Sequence, residues 1–246
     1  MALWCRDLKT VSVPIGDTPK AVTLVLPYYE NPQFFQRQIA EWRNYAADVA
    51  PFVSVIVVDD GSPTPAVLPE APPVSMRLFR IGVDVRWNWL AARNIGAHHA
   101  APGWLLMTDM DHVVPNDTMR ACVYGSHDPA VAYGFGRVEH TGAAIHPHSA
   151  SFFLTRDTFW RTGGYDETLS GHYGTDGDFR RRLAPVARMQ IQDRPLVRHE
   201  YQGDSSTVRY LRKQPEDAAV KRLVAQRGRA WAPRVLSFPY QEVAAS

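Results

Sequence analysis

Three short apolar runs that each end in carboxylates constrain this chain more than any other feature. They are VTLVL (22–26), VSVIVV (53–58) and WLLMT (104–108), and behind them stand Glu30, Asp59-Asp60-Gly61-Ser62 and Asp109-Met110-Asp111. Runs this short, rich in β-branched residues and stopped by Pro, Asp or Gly, read as strands buried on both faces. Such strands belong to α/β sheets covered by their connecting helices, and ligands bind beyond their carboxyl ends. One cluster alone reads as a loop carboxylate or a helix cap. Three at one edge of one sheet repel one another unless a cation or donor groups compensate.

The remaining segments supply helices and further strands. Asn31 and Pro32 make a helix start, with Phe34, Phe35, Ile39 and Trp42 at helical spacing as far as about Ala47. A Pro-rich loop (63–73) leads to a strand at 75–81, and a helix is expected over 87–100. Beyond lie expected strands at 131–138 and 151–154, helices at 157–161 and 176–183, and helical character over 207–229, divided by Pro215. Strand, helix, strand, strand, helix, strand predicts an α/β fold with a mostly parallel central sheet and helices on both faces. At 246 residues, without repeats, a single domain is expected.

Charge is divided unevenly. Residues 1–170 carry 13 Lys/Arg against 17 Asp/Glu, and residues 171–246 carry 14 against 8. A basic tail on an acidic body suits an anionic substrate, or is a solvated helix face. Cys5 and Cys122 are far apart, which implies reduced thiols and excludes a disulfide framework. Arg6 and Asp7 fall where a secretory leader needs an apolar stretch, and no uncharged run is long enough to span a bilayer. A cytoplasmic protein with no transmembrane segment is therefore expected.

Asp109-Met110-Asp111 has the most direct chemical meaning. Carboxylates on alternate residues at a rigid strand end can hold a hard divalent cation, Mn²⁺ or Mg²⁺, which takes oxygen ligands and bridges phosphates.

With these pieces in order, the chain resembles a family 2 glycosyltransferase of the GT-A, or nucleotide-diphospho-sugar transferase, fold. The matching stretches are VTLVLPYYENP (22–32), VIVVDDGSP (55–63), AARNIGA (91–97), WLLMTDMDHVVP (104–115) and GGYDETLSGHYGTDGDFRRRL (163–183). The resemblance implies a nucleotide-binding half over about 20–112, an acceptor-binding half over about 113–205 and a basic helical extension over about 206–246. It implies a nucleotide-sugar donor, most simply a UDP-sugar, and inversion at the anomeric carbon. On this likeness Tyr29, after Pro27 and beside Glu30, matches the aromatic that stacks on the nucleobase. Asp59 or Asp60 matches the carboxylate that reads the base, and Arg93 and Asn94 match a polar pair near the nucleotide. Asp109 and Asp111 match the metal-binding pair, with His199 as a candidate third ligand. The loop from Gly163 through Gly164 and Tyr165 to Glu167 matches a sugar-pocket loop. Asp176 matches the general base, with Asp178 a second candidate.

The pattern also departs from that family. Thr175 stands where the family has Glu, which puts the acceptor class in question, and no motif of processive synthases follows. Of the histidines, only His112 and His199 read as candidates for the metal shell. His98 and His99 read as structural or exposed, and His146 and His148 have no clear partner. Trp160, Tyr165 and Tyr173 read either as core aromatics or as sugar-stacking rings. The expected acceptor is a glycan or small molecule. A hydroxylated base in DNA is the alternative suggested by the basic tail, and a catalytically inactive sugar-nucleotide-binding scaffold is a third reading. A nucleotidyltransferase would need a Gly-rich basic loop after the first strand, and a dinucleotide-binding dehydrogenase a Gly-x-Gly-x-x-Gly motif; the chain has Pro-Tyr-Tyr-Glu-Asn-Pro there.

Overall fold

The computed structural model describes residues 8–199 and 218–243. In chain order its elements are β1 (Thr10–Val11), β2 (Val22–Tyr28), α1 (Pro32–Arg43), β3 (Val53–Asp59), β4 (Ser75–Ile81), α2 (Trp89–His99), β5 (Trp104–Met107) and β6 (His112–Val113). They continue with α3 (Asn116–Tyr124), β7 (Val131–Glu139), β8 (Ala144–Ile145), β9 (Phe152–Thr155), α4 (Arg156–Arg161) and α5 (Asp176–Leu183). β10 (Arg188–Arg198), α6 (Ala218–Ala225) and β11 (Tyr240–Val243) complete the described chain.

The apolar runs lie side by side. β2 pairs with β3 and β5, and β3 with β4, all in parallel. One sheet of order β1-β10-β7-β9-β5-β2-β3-β4-β11 results. Only β9 and β11 run against the common direction along that path. The sheet is therefore mostly parallel, and it is continuous across both halves expected from the sequence.

Alternation along the strands sends side chains to two cores. Leu24, Leu26, Val55 and Val57 pack with Phe35 and Trp42 of α1 and Met119 of α3. Val25, Ile56 and Val58 face the other way, onto Leu90 and Ile95 of α2, Phe159 of α4 and Phe179 of α5. Full burial of each such side chain stabilises by roughly 1.5–3 kcal/mol. The helices thus cover both faces, as the runs require.

Several boundaries differ from the sequence expectation. α1 stops at Arg43 rather than near Ala47, because Asn116 takes the Ala46 N–H at 2.9 Å and turns the chain. Asn31 precedes Pro32 as expected, but its side chain makes no capping bond. β10 and β11 were not expected. β10 bulges between Gln192 and Pro195, where the apolar pattern is broken. Residues 200–217, including Pro215, lie outside the described residues; Ala218–Ala225 is helical. Cys5 lies outside the described residues, and Cys122 is buried as a free thiol. No helix among the described residues is long and apolar enough to cross a membrane.

Gly61 closes the turn after β3 at φ +75°, and a Cβ there would lie 2.2 Å from the backbone oxygen of Val83. A left-handed conformation alone costs roughly 1–2 kcal/mol in an L-residue, and the backbone carbonyl has little room to yield. Gly61→Ala is expected to lower stability by about 2 kcal/mol or more. A urea unfolding midpoint equal to that of the parent chain would contradict this.

Candidate active site

A cavity of about 790 Å³ opens at the carboxyl edge of the sheet. Each strand end contributes to its wall. β2 brings Pro27 and Tyr29, the turn after β3 brings Asp60, and the loop after β4 brings Asp84 and Trp87. The end of β5 brings Asp109 and Asp111, and β7 and β10 bring Arg137 and Arg198. The loop before β9 adds His148, and the start of α5 adds Thr175 and Asp176.

At one end, the Tyr29 hydroxyl donates to both carboxylate oxygens of Asp84 at 3.3 Å. Burial and Asp84 push this phenol up to about 12. Asp60 is buried, and its Oδ1 has no hydrogen-bond partner among the described residues. Asp59 has a different task. It accepts from the N–H groups of Ser62 (2.8 Å) and Ala66 (2.9 Å) and from Arg80 (3.1 Å), and so builds the turn that presents Asp60. Glu30 does not border this cavity. At φ +42° it lines a separate hollow of about 270 Å³ with Phe35 and Val67.

In the middle, Arg93 lies fully buried on α2 and donates to Asp109 Oδ1 at 2.6 Å, to the Tyr165 hydroxyl at 3.0 Å and to the Ala150 carbonyl. Asn94, the other expected nucleotide contact, points elsewhere. Its amide nitrogen donates to the Tyr165 carbonyl and to Glu167, and its oxygen accepts from the Tyr165 N–H, each at 2.8 Å. Gln38 of α1, fully buried, donates to the carbonyls of Met110 (3.0 Å) and His112 (2.9 Å) and so grips the backbone on both sides of Asp111. His112 Nδ1 lies 2.6 Å from Asp111 Oδ1, and Arg137 lies 3.1 Å from His112 Nε2. Arg137 can only donate, so Nε2 accepts and Nδ1–H points at Asp111. Burial opposes the Asp111 charge, but His112, His148 and Arg198 outweigh it and hold the carboxyl below its usual range.

His148 stacks on His112 at 4.3 Å, with Nδ1 2.9 Å from Ser151 Oγ and Nε2 3.4 Å from Asp109 Oδ2. Burial lowers its imidazole to about 4, so it is neutral near pH 7. His199, the expected third metal ligand, does not line the cavity but sits beside Asp111. Its Nδ1 lies 2.9 Å from Arg37 and its ring stacks on His140, while its N–H donates to the Asp111 carbonyl. Among the described residues no group of three or more His, Cys, Asp or Glu is placed to hold a metal ion. Asp109 and Asp111 both border the cavity. That donor chemistry fits a divalent cation whose remaining ligands are phosphate oxygens.

At the far side, Asp176 occupies the first turn of α5 and accepts from Arg180 at 2.8 Å. Burial would raise its carboxyl, but bonds from Ser149 and Arg180 hold it below its usual value. Asp178, the second candidate base, is buried away from the cavity against Arg182 (3.1 Å) and Arg227. Gly164 and Tyr165 do not border the cavity. Gly164 sits at φ +67° with Asn94 against it, and Tyr165 is a core ring stacked on Phe179 at 4.3 Å. Trp160 packs on Phe159, while Tyr173 borders the cavity against Trp87.

Part of the basic run is internal. Arg180 serves Asp176 and the Ser149 carbonyl, Arg182 serves Asp178 and two carbonyls, and Arg227 bridges Asp178 and Asp166. Arg181, Lys221, Arg222 and Arg229 are exposed, and Arg209, Arg212 and Lys213 lie outside the described residues.

Residues 23–183 match the protein family described as glycosyl transferase family 2. The chain belongs to that family. No curated protein matches it in sequence. Among solved structures, a mannosyltransferase from Pyrobaculum calidifontis, in complex with GDP-Man and Mn²⁺, superposes with a TM-score of 0.58 at 18% identity. That match covers 84% of this chain and 64% of the other. TarS of S. aureus with UDP-GlcNAc gives 0.64 at 13% identity over 83% and 65%. GalNAc-T7 with UDP, GalNAc and Mn²⁺ gives 0.59 at 14% over 83% and 47%. The fold is therefore GT-A, and the chain spans less than two thirds of the length of these solved chains. Its cavity also uses residues that the sequence reading missed: Asp84, His148, Arg137 and Arg198. Asp84 and His148 follow strand and loop ends where no motif marked them, Arg137 sits on the expected strand at 131–138 with no motif around it, and Arg198 sits on a strand that was not expected.

Burial, and then the adjacent Asp59, push the Asp60 carboxyl well above the usual range. The folded chain thus holds this proton more tightly than the unfolded one. The associated stability is present at low pH and is lost as pH rises from about 4, the ordinary carboxylate range, through the raised value. Asp60→Asn is expected to raise the thermal midpoint at pH 7 and to flatten its decline above about pH 4. Melting curves across pH check this, and a lower midpoint at pH 7 would contradict it.

Proposed function

We propose that this family 2 chain transfers a sugar from a UDP-sugar to a hydroxyl acceptor, with inversion at the anomeric carbon. One observation carries the reading. A single cavity joins Tyr29 and Asp60, the Asp109–Asp111 pair and Asp176, which come from four separated parts of the sequence. Tyr29 offers a ring face for a nucleobase. The unpartnered, buried Asp60 Oδ1 offers an acceptor for a base N–H, and a buried acceptor left unpaired penalises bases that lack that donor.

Asp176 stays ionised at neutral pH, since its neighbours hold its carboxyl low. It takes the proton of the acceptor hydroxyl as that oxygen bonds to the anomeric carbon. The bond from that carbon to the diphosphate oxygen breaks, and its electron pair leaves with the nucleoside diphosphate. Asp109 and Asp111 would hold Mn²⁺ or Mg²⁺ at the diphosphate. A divalent ion bound there supplies counter-charge to the leaving group. Arg93 fixes one oxygen of Asp109 and His112 fixes one of Asp111, so each carboxylate meets the cavity in one orientation.

Asp176→Asn is expected to leave UDP binding intact and reduce transfer by about 10²–10⁴. Release of UDP from a panel of UDP-sugars, with Mn²⁺ and with EDTA, measures this. Full activity of the variant would remove Asp176 as the base, and a chain that binds donor yet releases no UDP would be an inactive binder.

Chelation, or Asp109→Ala, is expected to abolish most turnover. Undiminished release in EDTA would overturn the metal assignment. Mn²⁺-dependent binding of a guanosine or thymidine diphosphate sugar, with none for uridine, would overturn the donor assignment.

A further inference from the structure

Arg137 and Arg198 border the cavity but have no part in the reaction as argued above. They stand on neighbouring parallel strands, with Arg198 opposite Glu139 and Arg137 opposite Leu196, so the two guanidinium groups rise from the same end of the β7–β10 pair. Arg137 donates to the His146 carbonyl at 2.7 Å and to His112 at 3.1 Å. Arg198 donates to Glu139 at 3.1 Å and lies 4.0 Å from Asp111. Among the described residues, Nη2 of each arginine has no hydrogen-bonding acceptor. Burial and the nearby Arg198 both act against the Arg137 charge, which is the mark of two like charges held close together. Guanidinium does not deprotonate to relieve this. Glu139, at 3.1 Å, is the nearer counter-charge of Arg198, and Asp111 stands farther off at 4.0 Å.

A second observation lies across the cavity. Thr175, immediately before Asp176, is buried and borders the cavity, and its Oγ1 has no partner. It offers a neutral hydroxyl, where a carboxylate would repel an anion.

We propose that the acceptor carries an oxyanion, a phosphate or a carboxylate, held by Arg137 and Arg198, while its reacting hydroxyl lies near Thr175 and Asp176. The proposal rests on the glycosyl-transfer reading for the word acceptor, and names its chemical class. Arg137 bonds His112 and Arg198 comes within 4.0 Å of Asp111, so the pair stands at the Asp109–Asp111 end of the cavity. Asp60 and Tyr29 follow β3 and β2, at least three strands from β7, or roughly 14 Å of sheet. Paired, partly desolvated guanidinium groups with open donors are suited to the planar or tetrahedral oxygens of such a group.

The test is titration calorimetry on the full chain with glucose 6-phosphate, glucuronate and glucose, in the absence of any donor, and separately with UDP, with and without Mn²⁺. At least one of the two anions is expected to bind about tenfold or more tighter than glucose. Tighter binding of glucose 6-phosphate assigns phosphate, and tighter binding of glucuronate assigns carboxylate. In R137Q/R198Q that advantage should disappear, while UDP affinity measured without Mn²⁺, which does not depend on Asp111 as a metal ligand, changes by less than about threefold. Equal binding of glucose and the anions, or no binding of either anion, overturns the proposal. A parallel loss of UDP affinity also overturns it, since the pair would then serve the donor's diphosphate. Should the double variant fail to fold, Arg198→Lys and the salt dependence of anion binding by the parent chain decide the matter: insensitivity to salt excludes the arginine pair. Failure of the parent chain to bind UDP would sink the donor reading alone and leave the anion result standing.

Discussion

The buried guanidinium of Arg93 is the interaction on which the site depends. A charge with no exposure to solvent is tolerated only when its hydrogen bonds are made, and removal of one partner of such a pair typically costs several kcal/mol. Arg93 meets most of this demand through Asp109, the Tyr165 hydroxyl and the Ala150 carbonyl, with Trp89 beneath it at 4.7 Å, and its Nε–H lacks a partner among the described residues. Those contacts reach the end of β5, the loop before β9 and the Gly-Gly-Tyr loop, so one side chain on α2 ties together three segments distant in sequence. Asp109 is held at one oxygen while its carboxylate stays about a third exposed to the cavity. The acid is therefore presented by the core rather than by a mobile loop.

Much of the sheet was legible because its strands are buried on both faces. Such strands read as unbroken apolar runs, and their ends are marked by the first residue that needs water or a partner. β10 was not legible for the opposite reason. Asp193-Arg194-Pro195 interrupts its pattern at a bulge, and the strand is held in place by pairing with β7. β11, YQEV, is an exposed edge strand fixed to β4 partly by the Arg77–Glu242 ion pair, and nothing local to it requires a strand.

Around the cavity, the structure separates members of clusters that the sequence named together. Asp59 and Asp60 are adjacent, yet strand alternation and the Gly61 turn send one into the backbone of its own loop and the other to the cavity. Asp176 and Asp178 differ by two positions on one helix, which is about 200° of rotation, so only one can face the cavity. Asn94 carried a signal that could have placed it. Two polar residues in the otherwise apolar WLAARNIGA helix must find partners inside the protein, and Asn94 finds them in Tyr165 and Glu167. His199 could not be placed from sequence, because its ring direction is set by Arg37 on α1, 162 residues away.

The same accounting of partners explains the acidic loop of 163–167 and the basic segment after residue 171 together. Glu167 accepts from the N–H groups of Leu236 and Ser237 and from the Ser237 hydroxyl, and Asp166 accepts from Arg227 and the Arg234 N–H. Arg227 also reaches Asp178 and stacks on Trp231 at 3.7 Å. The described C-terminal segment therefore clasps the loop and the buried side of α5, while β11 joins β4 at the nucleoside end of the sheet. α5 carries Asp176 on its other side. The position of the proposed base thus depends on the charge pairs that Arg182 and Arg227 make behind it, while Arg181, Lys221, Arg222 and Arg229 stay exposed. On the cavity side Arg137 and Arg198 stand close to one another although each has partners in the chain, and it is there that the electrostatics of the cavity favour an anion.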